Sequence, residues 1–394
     1  MTSSTTAAAI QRTVRERRSR CQTSRALLIP PAQQSRSRWA RDLWPFRVSS
    51  GLVNDGVSGL KNMPATAFAF NEGTKTDNAF SRSIVDVTQA GAWERQPGVQ
   101  EVTMMGSAMT NGVTDDGTQV DLSLFGVDTG SFLAPETGQG RGIGAANEIV
   151  VSPTAEAEGI TIGSVITLER TDVELTVVGY TKEQATFGHV TVAYLPLGTW
   201  QLIASGQAGP GAPTDAAIAA LDFDTASTIA IKAEAGANLD FAAGDAAAGT
   251  ITSTLKDSFD ASPGYTAETL TLEMIQIFLY AICALVVGAF FTVWTIQRKH
   301  ELAVLRAIGA STGYLLRDGL VQAVVILIAA TAVGLSAGLA MGAGLSGSAM
   351  PFALDAGPIA AATSLTILMG VLGAAIAIIR ISRVDPLAAL GGQR

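Results

Sequence analysis

The sequence is poor in the residues that build metal centres and disulfides. It has two cysteines, Cys21 and Cys283, and two histidines, His189 and His300, among 394 residues. Cys283 lies inside an apolar run and far from Cys21, so neither a disulfide framework nor a cysteine-based metal site is indicated. His189 precedes a predicted strand, and we expect it to be a structural or surface residue. The sequence therefore predicts no metal site in this chain.

The sequence also lacks a nucleotide-binding loop. The pattern G-x-x-x-x-G-K-[ST], which cradles the phosphates of ATP in many ATPases, does not occur in it. The serine, aspartate and histidine residues of 51–271 form no convincing catalytic triad. We therefore expect that the chain is not an enzyme, and that any ATPase it works with is a partner chain.

Charged residues are scarce and unevenly distributed, at 15% of the whole chain. Residues 1–50 contain ten arginines and two acids, a net charge of +8, whereas residues 52–271 contain 9 basic and 27 acidic residues, a net charge of −18. Such an acidic segment argues against nucleic-acid binding. With 48% hydrophobic residues and a mean hydropathy of +0.33, the composition indicates a membrane protein with a sizeable soluble part.

Three apolar runs in the C-terminal part are long enough to cross a bilayer as helices: Met274–Ile296, Leu320–Leu345 and Ile359–Ile379. None has a charged residue in its central part, which argues against a proton relay or an ion pathway. The second run contains Gly334, Gly338 and Gly342, spaced four apart, a pattern that lets helices approach closely. We expect plain packing within the chain at these glycines, with a helix contact that moves as the alternative.

The segment 297–319, called the basic loop below, separates the first two runs. It contains four basic residues, Arg298, Lys299, Arg306 and Arg317. A short loop rich in lysine and arginine stays in the cytoplasm. Residues 51–271 are therefore expected outside the cell and the C-terminus inside.

A short amphipathic helix is predicted within the basic loop. Val304, Leu305 and Ile308 fall on one helical face. Gly309 is expected to end this helix, and Ser311 to cap the next one. On periodicity alone, the segment is an interfacial anchor helix at the inner membrane surface.

The residues of the basic loop also resemble a known family. The stretch RKHELAVLRAIGAS is similar to the cytoplasmic loop of the FtsX/MacB-type ABC transporter permeases, whose pattern is close to R-x-x-E-x-x-x-L-R-x-x-G-A. In that family this element is the coupling helix that docks on the ATPase. The resemblance implies coupling to an ABC ATPase subunit, which would bind ATP and magnesium, through Glu301, Val304, Leu305, Arg306, Ile308 and Gly309.

The resemblance extends over residues 51–394. SRVDPLAAL matches the family's closing R-x-x-P-x-x-A-L pattern, and NEIVVSPTAEAEGITIGSVITL followed by VELTVVGY resembles its periplasmic domain. The implied fold is an α-helical transmembrane bundle with a large α+β extracytoplasmic domain, assembled as a permease homodimer in the lipid bilayer of the cell membrane. Within the family, GLVNDGVSGLKNMPATAFAFNEGT is most similar to the haem-efflux permeases (HrtB type) of Gram-positive bacteria.

The family places a first transmembrane helix before the external domain, and this sequence shows three spans without it. Residues 1–50 contain no apolar run of membrane length and no signal-peptide core, so we expect a disordered or non-native, frame-shifted start. The predicted division is a basic N-terminus (1–50), an extracytoplasmic α+β domain (51–271) and a transmembrane permease domain with the basic loop (272–394).

Secondary structure in residues 51–271 is predicted from alternating apolar residues between turn residues. Two segments, Ser81–Ala92 and Ala235–Asp260, are predicted helical, and Ile203–Ala220 is predicted to be a mobile insertion or loose helix. The predicted strands are Val99–Met105, Gln119–Val127, Glu148–Ser152, Ser164–Glu169, Val173–Tyr180, Val190–Leu195 and Ser227–Ala233.

A candidate substrate site lies at the outer end of the first apolar run. It consists of Tyr265, Glu268, Glu273, Met274 and Phe278. One interpretation is a lateral entry site from the membrane, and the other is a set of acids that only favours the helix N-terminus. Methionine and tyrosine can ligate haem iron, and aromatic rings can face a porphyrin.

These residues and the subgroup resemblance together imply that haem, or a similar amphipathic molecule, is the exported substrate and not a cofactor of this chain. Two other function classes stay open. One is a permease that regulates an extracytoplasmic hydrolase by transmitting motion, without moving a substrate. The other is a membrane-anchored sensor or binding protein.

Overall fold

The computed structural model describes residues 56–298, 300–301, 304–305, 308–345 and 356–382. All of these belong to one compact unit, Ser49–Arg394. The predictions for residues 1–55, for Arg306 and for the closing motif from Arg383 onwards lie outside the described residues. A mixed α/β domain, residues 56–261, is called the β domain below.

The strands of the β domain are β1 (Ala67–Asn71), β2 (Val85–Asp86), β3 (Val99–Thr114), β4 (Gln119–Val127), β5 (Thr137–Gly140), β6 (Glu148–Val151), β7 (Val165–Leu168), β8 (Glu174–Thr181), β9 (Thr186–Phe187), β10 (Val190–Pro196), β11 (Thr225–Ala226), β12 (Thr228–Ala233) and β13 (Thr250–Thr254). Its helices are α1 (Ser58–Lys61), α2 (Ala79–Arg82), α3 (Val87–Glu94), α4 (Thr154–Ala157), α5 (Leu197–Ala204), α6 (Asp215–Ala219), α7 (Phe241–Ala248) and a 3₁₀ turn, Asp257–Ala261.

Six strands of the β domain close into a ring. β3 pairs with β4, β4 with β10, β10 with β6, β6 with β8 and β8 with β7, and β7 pairs back to β3. Every second residue of a strand points to the same face. The apolar residues at these alternate positions form one buried cluster, which includes Leu122, Leu124, Ile149, Val151, Ile166, Leu168, Leu175, Val177, Ala193 and Leu195. Closure leaves the ring without an edge strand that could pair with another chain.

The 16-residue strand β3 also belongs to a second layer, in which β12, β1 and β13 follow it with antiparallel pairing. Helices α3 and α7 pack on this layer around Trp93, which is fully buried and whose indole nitrogen donates to Thr250 Oγ1 at 3.0 Å. A Cβ on Gly244 of α7 would lie 2.1 Å from the Trp93 ring. The two helices therefore meet this closely because position 244 has no side chain.

All seven predicted strands are confirmed, and Val99–Met105 proves to be the first half of the longer β3. The prediction that Ala235–Asp260 is helical is wrong for most of its length. Gly249, at a φ of 67°, ends α7, and the threonine-rich β13 then pairs with β1. β-branched residues favour a strand once a partner strand is available, and that partner is distant in sequence.

The other predicted helical segments are also divided in the structure. Ser81–Ala92 becomes the end of α2, the short β2 and most of α3, because Asp86 accepts hydrogen bonds from two amides of the first turn of α3 and so fixes its start. Ile203–Ala220 contains the end of α5 and the short α6, with irregular chain between them.

Three long helices follow the β domain: α8 (Tyr265–Gln297), α9 (Thr312–Leu345) and α10 (Ala356–Ser382). Within the described residues, these three are long and apolar enough to cross a membrane, which confirms the three predicted spans. α10 packs against both α8 and α9. A buried cluster of Phe291, Ala323, Ala374 and Ala377 joins the three helices.

Glycines on α10 permit its close contacts. A Cβ on Gly373 would lie 2.4 Å from the carbonyl oxygen of Ala284 in α8. In contrast, a Cβ on Gly334 or Gly338 of α9 would meet no atom within 4 Å. The expectation that these two glycines pack within the chain is therefore wrong for the part of the chain that the structure describes. Gly342 lies outside the residues whose surroundings are described.

Candidate functional site

The basic loop contains the predicted short helix. His300, Glu301, Val304 and Leu305 are helical, and the Ile308 amide donates to the Val304 carbonyl at 3.1 Å. Gly309 has a φ of 105°, a conformation that glycine adopts with little steric cost, and it ends the helix as predicted.

The start of α9 also agrees with the prediction. The hydroxyl of Ser311 accepts a hydrogen bond from the Tyr314 amide at 3.2 Å. This is the usual geometry of an N-terminal cap, in which a side-chain oxygen satisfies an amide that the helix itself leaves free. The predicted helix end and helix start within the basic loop are both confirmed.

The apolar face of the short helix lies open to solvent. Val304 is 46% exposed, Leu305 42% and Ile308 79%. Three neighbouring aliphatic side chains with this exposure form a surface that is suited to contact with another protein or with lipid. Among the remaining predicted coupling residues, Glu301 is exposed, and Arg306 lies outside the described residues.

A hydrogen-bond network holds the basic loop against the long helices. Arg298 donates from Nε to Glu301 Oε2 at 2.9 Å and from Nη1 to Gln322 Oε1 at 2.7 Å. Gln322 in turn donates from Nε2 to Asp318 Oδ2 at 2.9 Å, within α9. Arg298 therefore links the end of α8, the short helix and α9. Gln322 and Asp318 were not predicted as site residues, although their i, i+4 spacing in an apolar helix was visible in the sequence.

At the opposite end of α8, a hairpin of the β domain touches the helix. Phe187 of β9 pairs with Val190 of β10, so Gly188 and His189 form a two-residue turn. Their φ angles are 61° and 64°. Tight hairpin turns with two positive φ angles favour glycine, asparagine and aspartate, and a histidine in this conformation is strained.

The strained histidine contacts the first turn of α8. His189 Nε2 lies 2.9 Å from Glu268 Oε2, and the exposed fractions of the two side chains are 38% and 23%. Nearby, Tyr265 packs against Val57 and Phe259, with its ring centroid 6.1 Å from that of Phe259. We call these residues the junction between the β domain and α8. His189 thus has a structural role, as expected from the sequence.

The five predicted substrate residues divide into two groups. Tyr265 and Glu268 belong to the junction, where their side chains have partners within the chain. Met274 and Phe278 are 62% and 66% exposed and lie about one helical turn apart on a different face of α8. Glu273 is also exposed, but it lies about 100° around the helix from Met274 and does not share this face. The five residues therefore do not converge, and the exposed patch consists of Met274 and Phe278.

We expect His189→Asn to loosen the start of α8. Asparagine tolerates the positive φ, so the hairpin should form normally, but its shorter side chain cannot reach Glu268. A partly exposed pair of this kind contributes about 0.5–1 kcal/mol. Hydrogen exchange of residues 265–272, measured on the full chain, should accelerate about two- to fivefold in His189→Asn.

The other histidine provides the matched control for this experiment. His300→Asn, in the basic loop, should leave exchange at the start of α8 unchanged. Combining His189→Asn with Glu268→Gln should have little more effect than either single change, because both remove the same contact. Unchanged protection in His189→Asn would show that the pair does not hold the junction.

Comparison with known proteins confirms the resemblance for the C-terminal part. Residues 274–386, which include most of α8, the basic loop, α9 and α10, match the family described as FtsX-like permease C-terminal, so this part of the chain is an FtsX-like permease domain. The similar curated proteins are named putative hemin transport system permease protein HrtB. One from Staphylococcus epidermidis is 35% identical over 128 residues, and one from Staphylococcus haemolyticus is 33% identical over 129 residues.

These matches cover only part of each protein. They include 32% and 33% of this chain, and each includes 36% of the relative, so the chain spans little more than a third of the length of these curated relatives. Two solved structures share 14% identity with the chain. They are the extracellular domain of the noncanonic ABC-type transporter YknZ from Gram-positive bacteria and the periplasmic region of MacB from Actinobacillus actinomycetemcomitans.

The first structural superposition covers 43% of this chain and 84% of that one at a TM-score of 0.31, and the second covers 52% and 92% at 0.34. The strand pairing within the β domain itself defines the fold of that domain.

Proposed function

We propose that this chain is the permease subunit of an ABC transporter of the FtsX/MacB type. The β domain faces the outside of the cell, the basic loop faces the cytoplasm, and a separate ATPase subunit binds ATP. Two copies of the chain pair in the membrane. The permease-domain match over residues 274–386 supports this proposal most directly, because it contains both the spans and the loop that would contact the ATPase.

The geometry of the basic loop supports the contact with an ATPase. Val304, Leu305 and Ile308 present an exposed apolar face, while Arg298 ties the same loop to α9. A surface that is exposed yet anchored to two long helices can pass a partner's movement to those helices. An interfacial anchor helix needs no such anchoring, since lipid alone would cover its apolar face.

The transmission path proposed here follows α8. This helix has 33 residues, a length of about 50 Å at ~1.5 Å per residue, and it is continuous from the junction to the basic loop. The His189–Glu268 contact joins its outer end to the β domain. A tilt of α8 produced by the ATPase would therefore move the hairpin that carries His189.

We infer that the transported molecule is haem or a similar flat amphipathic compound. The similar curated proteins are named as hemin transport permeases. In this chain the exposed patch of Met274 and Phe278 offers a thioether and an aromatic ring on one face of α8. Methionine is a known axial ligand of haem iron.

The substrate proposal predicts a spectroscopic change. Full-length chain in lipid nanodiscs, titrated with hemin, should shift the Soret band, and Met274→Leu should weaken the apparent affinity about tenfold because the thioether is lost. Met109→Leu is the matched control, since Met109 is also an exposed methionine but lies in the β domain. Equal affinities in both variants would exclude Met274 as a ligand.

A cellular experiment tests the same substrate independently. Deleting the gene should make cells sensitive to added haem but not to unrelated detergents or peptides. Normal haem tolerance in the deletion strain would exclude haem as the substrate and leave the permease proposal in place.

A permease that only transmits motion is the second candidate, and the junction favours it as well, because it joins α8 to the β domain without requiring a substrate. The two functions differ in one measurement. Hemin should stimulate ATP hydrolysis by the reconstituted complex if the chain exports it, and should leave hydrolysis unchanged if the chain regulates an external hydrolase.

A further inference from the structure

The β domain contains a cavity that lies apart from the basic loop and from the exposed patch on α8. Its volume is about 390 Å³, within the range of small-molecule sites. Three stretches and one strand residue line it: the end of α1 with the residues after it, residues 132–136, residues 181–185, and Tyr194 of β10.

The walls of the cavity are held together by the backbone. The Lys182 amide donates to the Glu136 carbonyl at 2.8 Å, which joins the second stretch to the third. Met63, Leu133 and Ala185 are buried and give the cavity an apolar wall. Phe132 extends this wall, and the ammonium of Lys232 lies 5.5 Å from its ring centroid, which favours one position of the ring. These contacts define the apolar side of the cavity.

Tyr194 adds a hydroxyl to a cavity that has one apolar wall but is also lined by the polar residues Asn62, Thr181 and Gln184. Tyr194 is 6% exposed, and its ring packs edge-to-face on that of Phe125 with 5.7 Å between the ring centroids. The Tyr194 hydroxyl makes no hydrogen bond with the described residues. The hydroxyl is not fully sealed from solvent, and Tyr194 is one of the residues that line the cavity.

The Tyr194 hydroxyl differs in this respect from that of Tyr180, another buried tyrosine of the β domain. The Tyr180 hydroxyl donates to the Ile160 carbonyl at 2.7 Å, as buried tyrosines usually do. Burial raises the pKa of the Tyr194 hydroxyl, so it stays neutral at physiological pH and can both donate and accept. A buried hydroxyl without a partner is costly unless a ligand or water meets it.

The charged groups around the cavity balance one another. Lys182 Nζ and Glu136 Oε2 form an exposed ion pair at 3.0 Å, Glu183 adds a carboxylate, and the Lys232 ammonium beside Phe132 adds a second cation. A ligand without net charge therefore suits the cavity.

We propose that this cavity is a second binding site, for a small amphipathic molecule without net charge. Its apolar body contacts Met63, Phe132 and Leu133, and its polar group bonds the Tyr194 hydroxyl. The site lies outside the membrane-spanning helices and does not depend on haem being the transported molecule.

Photolabelling of the full chain in nanodiscs tests this site. The probe is a benzyl alcohol that carries a trifluoromethyl-diazirine group, because it is neutral, aromatic and has one hydroxyl. Mass spectrometry of the irradiated chain should find saturable labelling in peptides that contain residues 131–137 or 190–196. Unlabelled benzyl alcohol should compete with it.

Two substitutions and one control make the test specific. Tyr194→Phe should raise the half-saturating probe concentration about five- to tenfold, the effect of one lost hydrogen bond. Ala134→Trp should fill the cavity and abolish the saturable labelling. Tyr180→Phe is the matched control, and it should leave labelling unchanged.

Thermal unfolding provides a readout that separates binding from folding. Tyr194→Phe should not lower the melting temperature, since the Tyr194 hydroxyl bonds no other described residue, whereas Tyr180→Phe should lower it. If Ala134→Trp does not fold, Tyr194→Phe alone decides the outcome. Labelling that does not saturate, that is confined to the three long helices or that is equal in Tyr194→Phe and the unaltered chain would overturn the proposal.

Discussion

Replacing Leu305 with aspartate is expected to abolish permease-dependent ATP hydrolysis and export while the chain still folds and inserts in the membrane. Leu305 is exposed in the isolated chain, so the carboxylate would be hydrated there and would cost the fold little. In a complex, the same carboxylate would be buried without a partner, at a cost of several kcal/mol. Since about 1.4 kcal/mol is a tenfold change, the ATPase complex should weaken by at least about a hundredfold.

The measurement is ATP hydrolysis by the co-purified complex, together with the amount of ATPase retained on the tagged chain. Leu305→Met is the matched control, because it keeps an apolar side chain of similar volume and should retain the ATPase. Arg298→Gln should give an intermediate result, since it releases the loop from Glu301 and Gln322 without altering the apolar face. Full ATPase retention by Leu305→Asp would contradict docking through this face.

The features of the basic loop were predictable because they depend on local chemistry. A glycine accepts the positive φ that ends a helix, a serine caps the next one, and the spacing of Val304, Leu305 and Ile308 defines a face within two turns. The strand runs were predictable for the same reason, since alternation of apolar residues reports which face of a strand is buried.

The closed ring and the junction were not predictable, because they depend on residues that are distant in the sequence. His189 and Glu268 are 79 positions apart, and nothing near either residue indicates the other. The strained turn at His189 could be recognised only from its φ angle. β13 was mistaken for helix because its pairing partner, β1, precedes it by nearly the whole β domain.

The candidate substrate site shows a different limit of sequence reasoning. Its five residues are close together in the sequence, but along a helix closeness does not mean a shared face. Tyr265 and Glu268 face the β domain, whereas Met274 and Phe278 are exposed. The glycine pattern of α9 is limited in the same way. Its spacing indicates a helix face without bulky side chains, but it does not indicate which element packs against that face.

Gly373→Val is expected to separate α8 from α10 and to lower the melting temperature of the purified chain by several degrees. A Cβ at position 373 would lie 2.4 Å from the Ala284 carbonyl oxygen, and backbone cannot move aside as a flexible side chain can. Overpacking of this kind costs about 1–3 kcal/mol, and close helix contacts in membranes depend on small residues. Because α8 joins the junction to the basic loop, hydrolysis that responds to substrate should be lost as well.

Gly338→Val is the matched control, with the same side chain added to a helix of the same bundle. A Cβ at Gly338 would meet no atom of the described residues within 4 Å, so the melting temperature of the monomeric chain should stay unchanged. The two variants are compared by thermal unfolding in detergent at a concentration where the chain is monomeric. Equal melting temperatures for Gly373→Val and the unaltered chain would show that the α8–α10 contact opens at no cost, and α8 could then not carry movement as part of a rigid bundle.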